Sequence, residues 1–579
     1  MDAPMPGSSL LRKFTSGQWS MQLFIGAILL LLLYLVGSPL ICLLVSSFRP
    51  GGLPLDPGWT FANYIETYTS AYTYRLLWNS LLFSLGSSAV ALFLGTSFAW
   101  FLERTDVPFR GLIKGVILST MAIPPIILAV SWVLLLSPKI GFLNHLLMQW
   151  FGLSASPFNV YSLWGMIFVQ GLALVPTTLL MLAPAFRNMD PNLEEAALTS
   201  GAGMFTLVRT IVLPILLPAL LSAAIFVFIV GLVVFDIPGI IGLPVRIMVF
   251  SSEIYFATHP PSGLAQYGAV STLAMSYIAF TFATMVLYHR MTQRAQQFTT
   301  ITGKGFRPRA FRLGRWKSAV VAYFLFYFFL AIVAPLGILI WTSLLPYYNR
   351  VSVANFSLLS LDNYRIFFTN RKVILALTNT LIVAFVSAMG VSLLSFAISW
   401  IVVRLRLRIS KVIDTLAFLP LGIPHVLMGL ALIYVYLTVR FVPIYGTIWI
   451  IVVAYVTHYI AFGTRTINGA MVQVHRELEE ASQVSGASWL QTFAKIIFPL
   501  LIPAIASVWI WVGGHAMREL SAALMLASGR NILLSTLLWG FWEGGDMPVA
   551  AAVGVVLITL LILLIGVALL LSRRSRLRY

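Results

Sequence analysis

Twelve stretches of this chain are each long and apolar enough to cross a bilayer, which leaves few folds open to it. They run over roughly 22–46, 78–101, 112–137, 161–184, 210–235, 266–288, 318–345, 376–402, 412–437, 445–464, 496–517 and 549–572. A segment in hydrocarbon must satisfy its own backbone polar groups, so a run of about 20 apolar residues reads as a helix. Prolines and glycines inside several runs are no objection, because membrane helices tolerate them. Composition agrees: 59% of residues are hydrophobic and 9% charged, against about 25% charged in soluble domains. A soluble core and a disordered chain are both excluded. The first run is too long for a signal peptide, and no small-residue cleavage site follows it. The one cysteine, Cys42, excludes an internal disulfide and any Cys-rich metal cluster.

Placing the N-terminus in the cytoplasm puts 26 of the 37 Lys and Arg residues on the inner side. The positive-inside rule then predicts that both termini are cytoplasmic. The stretch His289–Lys317 and the tail Arg573–Tyr579 contain no acid. They read as topology anchors against anionic lipid head groups rather than as a nucleic-acid surface, which needs a folded basic face.

The chain is also a duplication. At an offset of 300, Asn63-Tyr64 repeats as Asn363-Tyr364, Asn79 as Asn379, Trp100 as Trp400 and Ile123-Pro124 as Ile423-Pro424. At an offset of 285, Trp164 repeats as Trp449, Leu193-Glu194-Glu195-Ala196 as Leu478-Glu479-Glu480-Ala481, and Ser200-Gly201-Ala202 as Ser485-Gly486-Ala487. Pro214 and Pro218 repeat as Pro499 and Pro503. Six helices per half give both halves the same orientation, with the pseudo-twofold axis along the membrane normal. The expected division is a first half over 1–288, a basic linker over 289–317 and a second half over 318–579. A path between two such halves points to transport.

The loops after the fourth and tenth runs are the most informative. The first begins Asp190-Pro191-Asn192-Leu193-Glu194-Glu195-Ala196-Ala197 and reaches Gly201; the second begins Glu477-Leu478-Glu479-Glu480-Ala481 and reaches Gly486. Asp190 is a good N-cap, Pro191 suits a first helical turn, and the glutamates favour the positive helix start. Alanine keeps such a helix strong and thin, and glycine ends it in the left-handed conformation. The prediction is a short helix, a bend, and a second helix rising into the membrane.

These loops resemble the signature of the permeases of bacterial ABC importers: Glu-Ala-Ala, three residues, Gly, nine residues, Ile, one residue, Leu-Pro. Glu195, Ala196, Ala197, Gly201, Ile211, Leu213 and Pro214 match it in full. Glu480, Ala481, Gly486, Ile496 and Pro499 match, with Ser482 and Phe498 as conservative departures. The resemblance implies an all-α fold of two parallel six-helix repeats, of the type I importer permease kind, in a bacterial inner membrane. It also implies that Glu194, Glu195, Ala196, Ala197, Gly201, Glu479, Glu480, Ala481 and Gly486 dock on two copies of an ATP-hydrolysing subunit. The chain lacks a Gly-x-x-x-x-Gly-Lys-Ser/Thr phosphate loop. ATP therefore belongs to the partner chains, this chain binds no cofactor of its own, and it is not an enzyme. With no outer segment long enough to fold into a binding domain, a separate substrate-binding protein is implied.

Within that family, the fused form and the stretches Phe235-Asp236-Ile237-Pro238, Met517-Arg518-Glu519-Leu520-Ser521 and Thr302–Arg309 look like ferric iron permeases. Thiamine, 2-aminoethylphosphonate, sulfate and polyamine permeases share the architecture. Asp236, Arg518 and Glu519 at the outer ends of the fifth and eleventh runs are pathway candidates, since an ionisable group at membrane depth faces a cavity or a partner. The plainer reading places both acids in interfacial water, Asp236 as a helix cap and Glu519 paired with Arg518. His425 and His515 stand near the expected path; a metal site is not inferred from them. Pro124 and Pro424 are expected to break the third and ninth helices, as on many transport pathways. An ion-coupled secondary transporter would need relay residues inside the spans, and a membrane enzyme a buried His/Asp/Glu/Cys cluster; the sequence offers neither.

Overall fold

A computed structural model describes residues 21–576, apart from 190–193, 195, 198, 261, 298–310, 350, 352, 406 and 440. The regular secondary structure of the described residues is helical, with one isolated β-bridge between Thr105 and Phe311. Among the described residues, ten helices are long and apolar enough to cross a membrane unbroken. In the first half these are span 1 (Met21–Ser47), span 2 (Ala71–Arg104), span 4 (Leu163–Arg187), span 5 (Val208–Val233) and span 6 (Tyr267–Tyr288). In the second they are span 7 (Gly314–Ser343), span 8 (Arg371–Leu405), span 10 (Ile448–Val472), span 11 (Leu490–Arg518) and span 12 (Met547–Val567). On their outward faces Leu23, Leu30, Phe93, Leu325 and Phe326 are more than half exposed, as lipid-facing side chains must be.

The remaining two predicted runs are bent. Span 3 is Arg110–Ala122 followed by Pro125–Leu136 at 95°, and span 9 is Arg408–Gly422 followed by His425–Thr438 at 113°. The cause is local. Ile123 (ψ 115°) and Ile423 (ψ 117°) precede a proline, which drives them out of the helical region, and Pro124 and Pro424 are themselves extended at ψ 140° and 141°. Both expected breaks are present, in the same register of each half.

A third bent pair, Pro238–Val245 and Phe250–Thr258 at 69°, passes the same length and apolarity test. By sequence alone these residues belong to an outer connection, because each piece is too short to stand out as a span. In the second half Ser521–Leu526 and Leu534–Glu543 occupy the matching place. The repeated asparagines explain how these segments are held. Asn79 Nδ2 donates to the Met248 carbonyl at 3.2 Å, and Asn379 Nδ2 to the Arg530 and Ile532 carbonyls at 3.1 and 3.0 Å. Next to them, Ser80 Oγ and Thr380 Oγ1 accept from the amides of Phe250 and Leu534. Asn63 and Asn363 likewise tie down the exits of spans 1 and 7, through the carbonyls of Ser47 and Arg49 and of Ser343 and Leu345. Unpaired carbonyls at such depth cost several kcal/mol each, which accounts for these repeats in structural terms.

Span 2 packs along spans 4 and 5, and span 8 repeats this along spans 10 and 11. The opening span of each half also crosses over: span 1 packs on the second part of span 9, and span 7 on the second part of span 3. Tyr34 donates to Tyr436 at 3.0 Å, and Thr281 Oγ1 to the Gly422 carbonyl at 2.7 Å, so polar side chains as well as apolar packing join the halves.

Candidate translocation path and coupling loops

At the exits of spans 4 and 10 the predicted helix-and-bend is present where it is described. Glu194, Ala196 and Ala197 are helical; Asp190, Pro191, Asn192, Leu193 and Glu195 lie outside the described residues. The second loop is a helix from Glu477 to Val484, with Glu480 and Ala481 exposed and Glu479 half-buried. Gly201 and Gly486 take φ of +83° and +84°, the left-handed turn that glycine alone adopts freely. The following amides close each helix end: Ala202 N donates to Ala197 O at 3.0 Å, and Ala487 N to Ser482 O at 3.1 Å. Around the second turn Leu478, Val484 and Leu490 are exposed, Val484 to 89%.

Asp236 and Glu519 stand just past the ends of spans 5 and 11, where the chain turns into the short helices. Each is only 8% exposed. Interfacial water is therefore not their setting, and the plainer reading is corrected. Asp236 lies within electrostatic range of Glu519 and Arg518. Glu519 is the helix cap: its two oxygens accept from Ala522 N at 2.9 Å and Ala523 N at 3.2 Å. Arg518 is not hydrogen-bonded to Glu519. Its Nη1 donates across to the Met121 carbonyl of the first half at 2.5 Å, and its Nη2 to His515 Nε2 at 2.9 Å. His515 then carries its proton on Nδ1, which donates to the Trp511 carbonyl at 2.9 Å. Its ring stacks on Trp511 at 3.7 Å, and Trp511 on Phe462 at 3.6 Å.

His425 is the first helical residue after the Pro424 break, and its ring lies 3.5 Å from that of His458 on span 10. His425 Nε2 and His458 Nδ1 are buried without a hydrogen-bond partner. Tyr459 faces His425, His458 and His515, at ring separations of 5.9, 5.3 and 6.2 Å. His458 is a residue that reasoning from the sequence misses. The signal that could find it is the spacing Tyr455, His458, Tyr459, Phe462, which sets one aromatic and imidazole face on span 10. No group of three or more His, Cys, Asp or Glu positioned for a metal occurs among the described residues.

The buried polar cluster is lopsided. Ser535 Oγ donates to the Glu519 carbonyl at 2.7 Å as Ser251 Oγ donates to the Val234 carbonyl at 2.6 Å, so the structural mate of Glu519 is Val234 rather than Asp236. At the offsets of the duplication, His425, His458, His515 and Arg518 face Pro125, Ala173, Val230 and Val233. The second half supplies most of this cluster, and the first contributes Asp236. Asp236 and Glu519 are thus two carboxylates buried where the halves meet, a setting an ionisable group takes when it faces a cavity or a partner.

Two repeated bundles with a polar seam between them and a helical elbow at the same end of each define a membrane transport subunit. Residues 91–297 and 392–577, more than half the chain, match the binding-protein-dependent transport system inner membrane component family, and the chain belongs to that family as a permease of the ABC importers. It is 26% identical over 548 residues to the ferric transport system permease protein FbpB of Actinobacillus pleuropneumoniae, covering 93% of this chain and 76% of that one. It is 23% identical over 470 residues to the Fe(3+)-transport system permease protein FbpB 2 of Haemophilus influenzae, covering 80% and 83%. A bacterial ABC transporter involved in the import of the polysaccharide alginate aligns over 45% of this chain and 97% of its own, at 18% identity and a TM-score of 0.38.

Proposed function

We propose that this chain is the permease of an ATP-driven importer of ferric iron. The observation that carries the reading is the buried seam in which Asp236 and Glu519 converge from opposite halves, taken with the ferric transport relatives that span nearly the whole chain. A loaded binding protein docks outside. Two ATPase subunits close inside on the loops at Glu194–Gly201 and Glu477–Gly486, and the halves rock about the pseudo-twofold axis. The permease performs no covalent chemistry, and ATP is held by the partners. Exposed Leu478 and Val484 beside the Gly486 turn suit a docking groove. The test is uptake of radioactive ferric iron into proteoliposomes holding this chain, its ATPase and its binding protein. Accumulation that needs all three and ATP is the expected result. Uptake of thiamine or 2-aminoethylphosphonate in place of iron would replace the substrate while keeping the architecture.

In this reading both termini, the linker 289–317 and both elbows face the cytoplasm. Thr105 and Phe311 are bridged, and Asp106 accepts from Leu313 N at 2.8 Å and pairs with Lys317 at 2.8 Å. The end of the linker is thus stitched to the exit of span 2, beside the first elbow. A reporter active only in the periplasm should stay silent when fused after Lys317 and be active when fused near Pro346, past span 7. The reverse pattern would overturn the orientation and the placement of both elbows.

A further inference from the structure

The same buried ion pair occurs once in each half. Arg104, the last residue of span 2, faces Glu194, and Arg404, near the end of span 8, faces Glu479 with Nε 2.5 Å from Oε1. The arginines are 300 residues apart and the glutamates 285, the two offsets of the duplication. Each guanidinium also reaches the chain leaving the span before its elbow: Arg104 Nη1 donates to the Met189 carbonyl at 3.4 Å, and Arg404 Nη2 to the Val474 carbonyl at 2.8 Å. Those carbonyls are again 285 apart. The side chains are 1% and 4% exposed in the first pair and 7% and 14% in the second. Neighbouring ion pairs do not follow the repeat. Glu103 binds Lys114 and Arg187, whereas the second half has Val403 in its place.

A charged residue is seldom fully buried unless it is paired, and a planar guanidinium is suited to holding a carboxylate and a carbonyl together. An elbow tied to the bundle only by its ends could swing on Gly201 or Gly486 without moving any span. The arginine removes that freedom. We propose that Arg104 and Arg404 are positioning residues that latch each elbow to span 2 or span 8, so that elbow movement is passed to the span. Span 2 packs along span 5, and span 8 along span 11, and these spans lead to Asp236 and Glu519. The latch thus connects the elbows to the seam between the halves. The proposal rests on the reading that the elbows dock on ATPase subunits.

The test uses the full complex in proteoliposomes, with the variants Arg104→Met, Arg404→Met and Arg404→Lys and the exchange Arg404→Glu with Glu479→Arg. The substitution Val484→Cys, in a Cys42→Ser background, reports docking by cross-linking to the ATPase. The expected result for the methionine variants is a retained cross-link and basal ATP hydrolysis within twofold of the parent. Stimulation of hydrolysis by the loaded binding protein, and uptake, should both fall at least tenfold. Arg404→Lys keeps the charge and loses the fork, so it should fall between, and the exchanged pair should recover part of the stimulation. Normal stimulation and uptake in both methionine variants would overturn the latch. So would loss of the cross-link in every variant including the exchanged pair, which would make the pairs simple staples of the loop. Absence of the cross-link in the parent would sink the docking reading itself, an outcome separate from either.

Discussion

Gly486→Val should abolish uptake while leaving membrane insertion intact, and Gly201→Val should do the same or slightly less. Both glycines hold φ above +80°, where a residue with a Cβ costs roughly 1–2 kcal/mol and a β-branched one more. Nothing lies within 4 Å of a Cβ built at either position, so the permease alone has room for the side chain. Two effects can then be told apart. Alanine adds the backbone cost and little else, and should reduce uptake severalfold. Valine adds bulk on the outer face of the turn, where the reading places the ATPase, and should remove ATPase capture as well. Each 1.4 kcal/mol lost from docking is about a tenfold loss of complex. Co-purification of the ATPase and uptake into proteoliposomes check this together. Normal values of both for Gly486→Val would rule out docking at this elbow.

Much of the fold can be read from the residues. Twelve long apolar runs leave little alternative to helices, and the repeat of Ile-Pro at 123 and 423 puts the two bends where they occur. The glycine ends of the elbows follow from the same local rule that shapes any helix terminus. What the residues hide shares a cause. Pro238–Val245 and Phe250–Thr258 are too short to stand out as spans, and they sit in the structure because Asn79 and Ser80 hold them there. Arg104 and Arg404 read as ordinary inner-side charges, since a count of Lys and Arg cannot tell a solvated arginine from one folded back on a glutamate. His458 lies 33 residues from His425, and no local pattern joins residues that only the packing of spans 9 and 10 brings together. The lopsided cluster is hidden in the same way, because two acids at the ends of equivalent spans look like mates until the hydrogen bonds align Glu519 with Val234.

Removing charge from the seam should separate cargo of opposite sign. Asp236→Asn and Glu519→Gln keep shape, and the carboxamide introduced by Glu519→Gln retains one oxygen for the amides of Ala522 and Ala523. Even full loss of a cap is worth only about 1 kcal/mol, so folding should survive. The electrostatic change is larger. A unit cation about 6 Å from a carboxylate gains roughly 3 kcal/mol at an effective dielectric of about 20, or close to a hundredfold in occupancy. For ferric iron, uptake should therefore fall at least tenfold in both variants, with expression and ATPase capture unchanged. Arg518→Gln also cuts the bond from the second half to Met121 of the first, so Arg518→Lys serves as its control, keeping the charge while losing the fork. If the cargo is an anion such as a phosphonate, Arg518→Gln becomes the damaging change, Arg518→Lys keeps part of the activity, and the two carboxylate variants transport as well as the parent or better. Normal uptake in all of them would reduce these side chains to caps and ties, and would move the search for the path to the bends at Pro124 and Pro424 and the imidazole pair beside the second.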